Sequence, residues 1–130
     1  MDTNILVIGS GISGLTYAIK MAEQNPDIEI TMISKNNLLE SNTRYAQGGI
    51  AVVSNFKKDS FEKHVEDTLI AGAGQCDEEV VKFVVEEGHD RLQELIEWGA
   101  QFDVKSNVLH LTKEGGHSEK RIVHHKDKTG

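Results

Sequence analysis

The residues with the most specific chemical potential stand near the N-terminus, as Gly9-Ser10-Gly11-Ile12-Ser13-Gly14. Three glycines at this spacing suit a turn that grips a dinucleotide. The first permits the tight turn, the second lets backbone approach a pyrophosphate, and the third lets a helix pack close to a strand. Amides at a helix N-terminus lack partners and carry partial positive charge, so a diphosphate is their natural ligand. A merely tight strand-to-helix turn is the competing explanation. A nucleoside-triphosphate loop shares the Gly9-x4-Gly14 spacing, but Leu15 fills the lysine position and cannot bridge phosphates. The acid expected roughly 20 residues after the last glycine, where it would bind a ribose, is replaced by Ser34-Lys35. A serine hydroxyl still bonds a ribose, with less charge assistance.

Other candidates are weaker on spacing alone. Glu114-Gly115-Gly116-His117-Ser118 places a carboxylate in a glycine turn, and a solvated glutamate is the ordinary fate of that residue. The six histidines include no pair at a familiar metal-helix spacing and have no cysteine cluster beside them, so a metal site is not expected. His89 is expected at a surface or edge. His117 suits either a substrate contact or a hydrogen bond within its turn. Cys76 precedes a helix start that could lower its pKa, yet it has no partner histidine and is expected to be structural. Arg44 and Lys113 are candidates for contact with an anionic ligand and equally for solvated charge.

The elements that must position these residues follow from periodicity. Residues 4–8 are an apolar run of the kind buried on both faces of a parallel sheet. Ile12, Leu15, Ala18, Ile19 and Ala22 recur at helical spacing to about Gln24, and Asn25-Pro26-Asp27 closes that helix. Residues 28–33 form a second strand, which completes a βαβ unit with a right-handed crossover. Residues 36–49 are aperiodic, and 50–53 are a short apolar run. Asp59, with Glu62 three positions on, resembles a capping box for a helix to about Ala71, ended by Gly72-Ala73-Gly74. Asp77 caps the next helix, with Glu78 and Glu79 in its first turn. Gly88 is a possible bend in it and Gly99 its stop. Residues 108–112 and 121–125 read as strands flanking the Glu114 turn, a hairpin-like arrangement. Residues 126–130 are turn chemistry.

Composition bounds the class. The 130 residues carry 14 Lys+Arg against 21 Asp+Glu, a net charge of −7, which disfavours a nucleic-acid or anionic-membrane surface. No apolar run approaches the roughly 18 residues of a spanning helix, and no basic segment precedes the first apolar stretch as in a signal peptide. One cysteine excludes an internal disulfide and fits a reducing, cytoplasmic setting. One βαβ unit supplies only two parallel strands, fewer than an open sheet needs, so the chain is expected to be the N-terminal part of a larger protein.

The stretch Asn42-Thr43-Arg44-Tyr45-Ala46-Gln47-Gly48-Gly49-Ile50 is more distinctive than the glycine turn. Together with Gly9 to Gly14, Ser34-Lys35, His64-Val65-Glu66-Asp67-Thr68, the Glu114 turn and Asp127-x-Thr129-Gly130, it resembles the N-terminal part of the succinate dehydrogenase/fumarate reductase flavoprotein family. The resemblance implies an α/β, Rossmann-like FAD-binding domain, with residues 1–130 as its N-terminal part and the capping and helical domains elsewhere. It implies FAD held over Ser10 to Ser13, with Ser34-Lys35 facing the adenosine ribose and the Asn42 to Gly49 loop wrapping the diphosphate and the isoalloxazine edge. Backbone at Gly48 and Gly49 could approach a planar ring that a side chain would obstruct. Asn42 stands where the respiratory branch has a histidine bonded to flavin, which implies non-covalent FAD. Glu114 matches the residue that meets the substrate's α-amino group in the aspartate-oxidising branch, where an ammonium needs an anionic partner. The implied reaction is hydride removal from L-aspartate to give iminoaspartate, with oxygen or fumarate as final acceptor and a functional link to quinolinate synthase in NAD biosynthesis. A fumarate-reducing flavoprotein and a non-catalytic nucleotide-binding module are the alternatives.

Overall fold

The computed structural model describes residues 3–126; the expected turn at 127–130 and the Asp127-x-Thr129-Gly130 match lie outside the described residues. The chain divides into two compact units, one ending at Gln47 and the other beginning at Gly48.

The first unit is the expected βαβ element. Strand β1 (Ile5–Ile8) leads into α1 (Ile12–Gln24), and β2 (Ile30–Ile33) returns parallel to β1 with Ile5 opposite Ile30 and Ile8 opposite Ile33. The second strand starts two residues later than periodicity suggests, because Ile28 is still in the turn, its amide bonded to the Asn25 carbonyl at 3.0 Å. Gly14 makes the strand–helix approach possible. A Cβ there would collide with the Gly9 carbonyl oxygen and lie 3.2 Å from a Val7 methyl. Val7 is the buried residue of β1, whereas Leu6 is 53% and Ile8 79% exposed, and α1 has no buried residue. This corrects the expectation of a strand covered on both faces. A two-stranded parallel pair with one helix covers one face only, where parallel sheets ordinarily have helices on both.

In the second unit, β3 (Ile50–Ala51) and β6 (Leu111–Thr112) both pair antiparallel with β7 (Ile122–Val123). The core is Val52, Leu92 and Val123, with Ile50, Ile96, Phe102, Leu109 and Leu111 packed on it. The expected single strand at 108–112 is broken. β4 (Val104–Lys105) and β5 (Val108–Leu109) form their own hairpin across Ser106 and Asn107, both at positive φ, the geometry of a tight hairpin turn. His110 then turns away, its amide bonded to the Asp103 carbonyl at 2.8 Å.

Helices α2 (Phe61–Ala71) and α3 (Glu78–Glu97) pack against each other. The cap of α2 is Ser60, whose hydroxyl accepts from the Lys63 amide at 3.3 Å. Asp59 does not serve, since its carboxylate is bonded to a buried arginine. Asp77 caps α3 as expected, accepting from the Glu79 and Val80 amides at 3.1 and 3.2 Å. The helix runs unbroken through Gly88 and ends with Gly99 at φ 99°. There the Gly99 and Ala100 amides bond Ile96 and Leu95 carbonyls, both at 2.9 Å, a glycine-terminated close of the Schellman type. No described helix is long and apolar enough to cross a membrane.

Candidate functional site

The glycine turn, Ser34-Lys35 and Asn42-Thr43 come together in the first unit. They line a cavity of about 700 Å³ at the C-terminal ends of β1 and β2, with Ile8, Ile33, Glu40 and Ser41 completing its wall. Ligands of open parallel sheets bind at this end of the strands. Gly9 adopts φ 108°, and its amide bonds the Ile33 carbonyl at 2.8 Å, which ties the turn to the tip of β2. Ser10 is buried; Ile12 and Ser13 are exposed. The first turn of α1 has no acidic residue, so its positive end is left for an anion. A diphosphate flanked by backbone and closed by a ribose fits this donor set.

The loop after β2 contributes more than its composition indicated. The Thr43 hydroxyl accepts from the Ile12 amide at 3.0 Å, so Thr43 caps α1 from outside the helix and fastens the loop to the glycine turn. Ser34 donates its hydroxyl to the Asn36 carbonyl. Lys35 and Asn42 are exposed on the cavity wall. The Tyr45 hydroxyl donates to Glu40 at 2.8 Å, and that bond to a carboxylate is the main reason the Tyr45 pKa is raised. Arg44 lies over the Tyr45 ring at 6.0 Å. The Ala46 amide bonds the Thr43 carbonyl at 3.1 Å, and Gln47 is exposed. Glu40 was missed from the sequence. An acid was sought at the tip of β2, while the carboxylate that reaches the cavity stands several residues into the loop. A search extended through the aperiodic stretch would have found it.

The second unit holds Gly48, Gly49 and Glu114. A Cβ on Gly49 would strike Ile122 and lie 2.7 Å from the Val123 carbonyl oxygen. The glycine is therefore required by packing against β7, apart from any need to admit a ring. Gly48, at φ 105°, has the Glu114 carboxylate 3.8 Å from where its Cβ would be. Glu114 is exposed on the turn before β7. Lys113 donates its ammonium to the Ser118 carbonyl at 2.8 Å, a bond within the turn.

Beneath that turn lies a charged cluster that no sequence motif announced. Arg121 is completely buried. Its guanidinium forks onto Asp59, Nε to Oδ2 at 2.9 Å and Nη2 to Oδ1 at 2.7 Å, and Nη1 bonds Asp67. Burial alone would raise the Asp59 carboxyl, yet the Arg121 bonds prevail and its pKa is lowered. Asp67 behaves likewise: against burial, the Ser118 amide and the Arg121 guanidinium bring it down to about 2. Burial, with the charge of Arg121 added, lowers the His64 pKa, and its buried Nδ1 has no hydrogen-bond partner. His89 packs at an edge, half-buried, and its Nδ1–H donates to the Val53 carbonyl at 3.1 Å. Cys76 fills the space that a side chain at Gly72 would need, a structural role. No group of three or more His, Cys, Asp or Glu among the described residues could hold a metal ion.

A parallel strand–glycine turn–helix with a ligand-sized cavity at the strand tips defines a dinucleotide-binding domain. Residues 4–130 match the FAD binding domain family, and the chain belongs to that family. It is 50% identical over 125 residues to L-aspartate oxidase 2-a, chloroplastic, from Nicotiana tabacum, covering 95% of this chain and 19% of that protein. It is 46% identical over 133 residues to L-aspartate oxidase from Yersinia pestis, covering 98% of this chain and 24% of that one. Among solved structures, the E. coli quinol fumarate reductase superposes with a TM-score of 0.85 at 31% identity, over 95% of this chain and 21% of that chain. The chain thus spans about a fifth to a quarter of the length of these relatives. The resemblance to the succinate dehydrogenase/fumarate reductase flavoproteins is borne out, and the cofactor is FAD.

Proposed function

We propose that this chain is the FAD-holding part of an enzyme that oxidises L-aspartate to iminoaspartate. The observation that carries the reading is the cavity where Gly9 to Gly11, Ser34-Lys35 and Asn42-Thr43 converge; in the second unit, by itself, Glu114 is exposed on a turn anchored on buried charge. Bound FAD supplies the redox chemistry by accepting the hydride. The residues of this chain bind and orient. Backbone at Ser10 to Ser13 and the start of α1, which has no acidic residue in its first turn, would hold the diphosphate, and Ser34 or Glu40 would take a ribose hydroxyl. Asn42, with no nucleophilic nitrogen, leaves the flavin non-covalent. Glu114 accepts a hydrogen bond from the substrate ammonium, a bond that succinate and fumarate cannot make. Both units, on this reading, belong to one FAD-binding domain, and the capping and helical domains lie outside these residues. The imine product hydrolyses in water, which fits a link to quinolinate synthase as its consumer. A reducing, cytoplasmic setting fits the single free thiol, Cys76.

The test is the flavin spectrum of the full-length protein under anaerobic conditions. Aspartate should bleach it, and fumarate or oxygen should restore it. Bleaching by succinate but not aspartate would instead favour the fumarate-reductase chemistry of the structural neighbours, and a colourless protein that takes up no FAD would favour a non-catalytic module. Glu114→Gln should weaken aspartate binding while leaving succinate binding near its original strength; equal loss for both would remove the amino-group role.

A further inference from the structure

Apart from the Lys113 ammonium bond to the Ser118 carbonyl, the turn that presents Glu114 does little to hold itself. Glu114, Gly115 and Gly116 are exposed, Gly116 sits at φ 82°, and the one internal backbone bond, His117 amide to Glu114 carbonyl, is long at 3.4 Å. Its restraint comes from α2. One oxygen of Asp67, Oδ2, accepts the Ser118 amide at 2.7 Å, the Ser118 hydroxyl at 2.8 Å and Arg121 Nη1. Arg121 is in turn fixed by the fork onto Asp59, itself almost wholly buried. The same Nη1 lies 3.2 Å from His117 Nδ1. A guanidinium only donates, so the imidazole is the accepting side of this contact. Both flanks of the turn's last residues are therefore pinned to one immobile cation.

Stability alone is a poor explanation for this arrangement. A buried ion-pair triad often contributes less than apolar residues of similar volume, and its best-attested use is to fix registry. What is fixed here is the turn bearing Glu114. We propose that Arg121, acting through Asp67 and Ser118, is a positioning residue that sets the Glu114 carboxylate for the substrate ammonium. The inference rests on the aspartate reading above. Arg121 need touch neither substrate nor flavin.

The experiment uses the full-length, FAD-loaded protein and compares Asp67→Asn, Ser118→Ala and Glu114→Gln, singly and in pairs. Asp67→Asn should raise KM for aspartate about tenfold or more, the effect of losing a charged hydrogen bond, with kcat, FAD content and inhibition by succinate little changed. In the Glu114→Gln background it should add almost nothing, because a carboxylate that is gone cannot be misplaced. Ser118→Ala removes only a hydroxyl from Asp67 and should shift KM in the same direction by less; it carries the test should Asp67→Asn not fold. Equal weakening of aspartate and succinate, loss of FAD, or full additivity with Glu114→Gln would overturn the positioning role. A wild-type protein that ignores aspartate would overturn the aspartate reading and this inference together. One that discriminates through Glu114 while the Asp67 and Ser118 variants behave normally would overturn the inference alone.

Discussion

Asp67 and His64, three residues apart on α2, both border the Arg121 cluster and set different limits on its protonation. Asp67 is held at about 2 against an ordinary 3.8. A carboxyl with a depressed folded-state pKa contributes stability that is complete above its unfolded value and is lost as pH falls through the folded one. The Asp67 contribution to the denaturant midpoint should therefore be complete above roughly pH 4 and fall progressively toward pH 2, and Asp67→Asn should flatten that fall. A wild-type curve already level across this window would remove the ion pair from the stability account. His64 acts earlier. Its depressed pKa means that charging it opposes folding, so a smaller decline begins as pH drops below its ordinary 6.5. At this scale the sequence was legible where a local rule applied and opaque where it did not. Asp59 looked like a cap because Glu62 stands three positions on, as in a capping box. Its real partner, Arg121, is 62 residues away, and no periodicity reports such a distance.

Elements were legible where backbone chemistry leaves a local mark. The Asp77 cap, the Gly99 stop and the α1 boundaries follow from neighbouring residues alone. Asp77→Ala should lower stability by about 1 kcal/mol, the usual cost of a lost N-cap, measured as a shift in denaturant midpoint at constant slope. Gly14→Ala sets two effects against each other. Alanine favours a helix over glycine by about 1 kcal/mol, but here its methyl would enter the space of the Gly9 carbonyl. Overpacking against backbone costs up to about 3 kcal/mol, so the collision prevails. The variant should be destabilised and should bind FAD more weakly, as read by flavin retention on desalting. A stabilised, flavin-replete Gly14→Ala protein would contradict the close packing. Strand lengths were less legible, because β3, β6 and β7 are each two residues long and leave too short a pattern. The break at His110 depends on a bond to Asp103 that only the folded unit makes.

At the scale of the whole molecule, the family match from residue 4 to residue 130 spans both compact units, each of which is a packed body of its own. The nucleotide-binding class could be read from one turn and its flanking elements. The cavity's full wall could not, since Glu40 and Ser41 sit in a stretch without period. Leu6, Ile8 and Ile33 carry a different message. Their exposed aliphatic surface lies on a sheet of two strands among the described residues, whose edges are a template on which another extended segment can zip. Purified as these 130 residues, the chain should bind the dye 1-anilinonaphthalene-8-sulfonate and elute well above its 14.4 kDa. Lysine at Leu6 or Ile8 should return it toward monomer size. The stickiness of this one ribbon, more than any weakness at the glycine turn, would then govern how the isolated polypeptide behaves in a test tube.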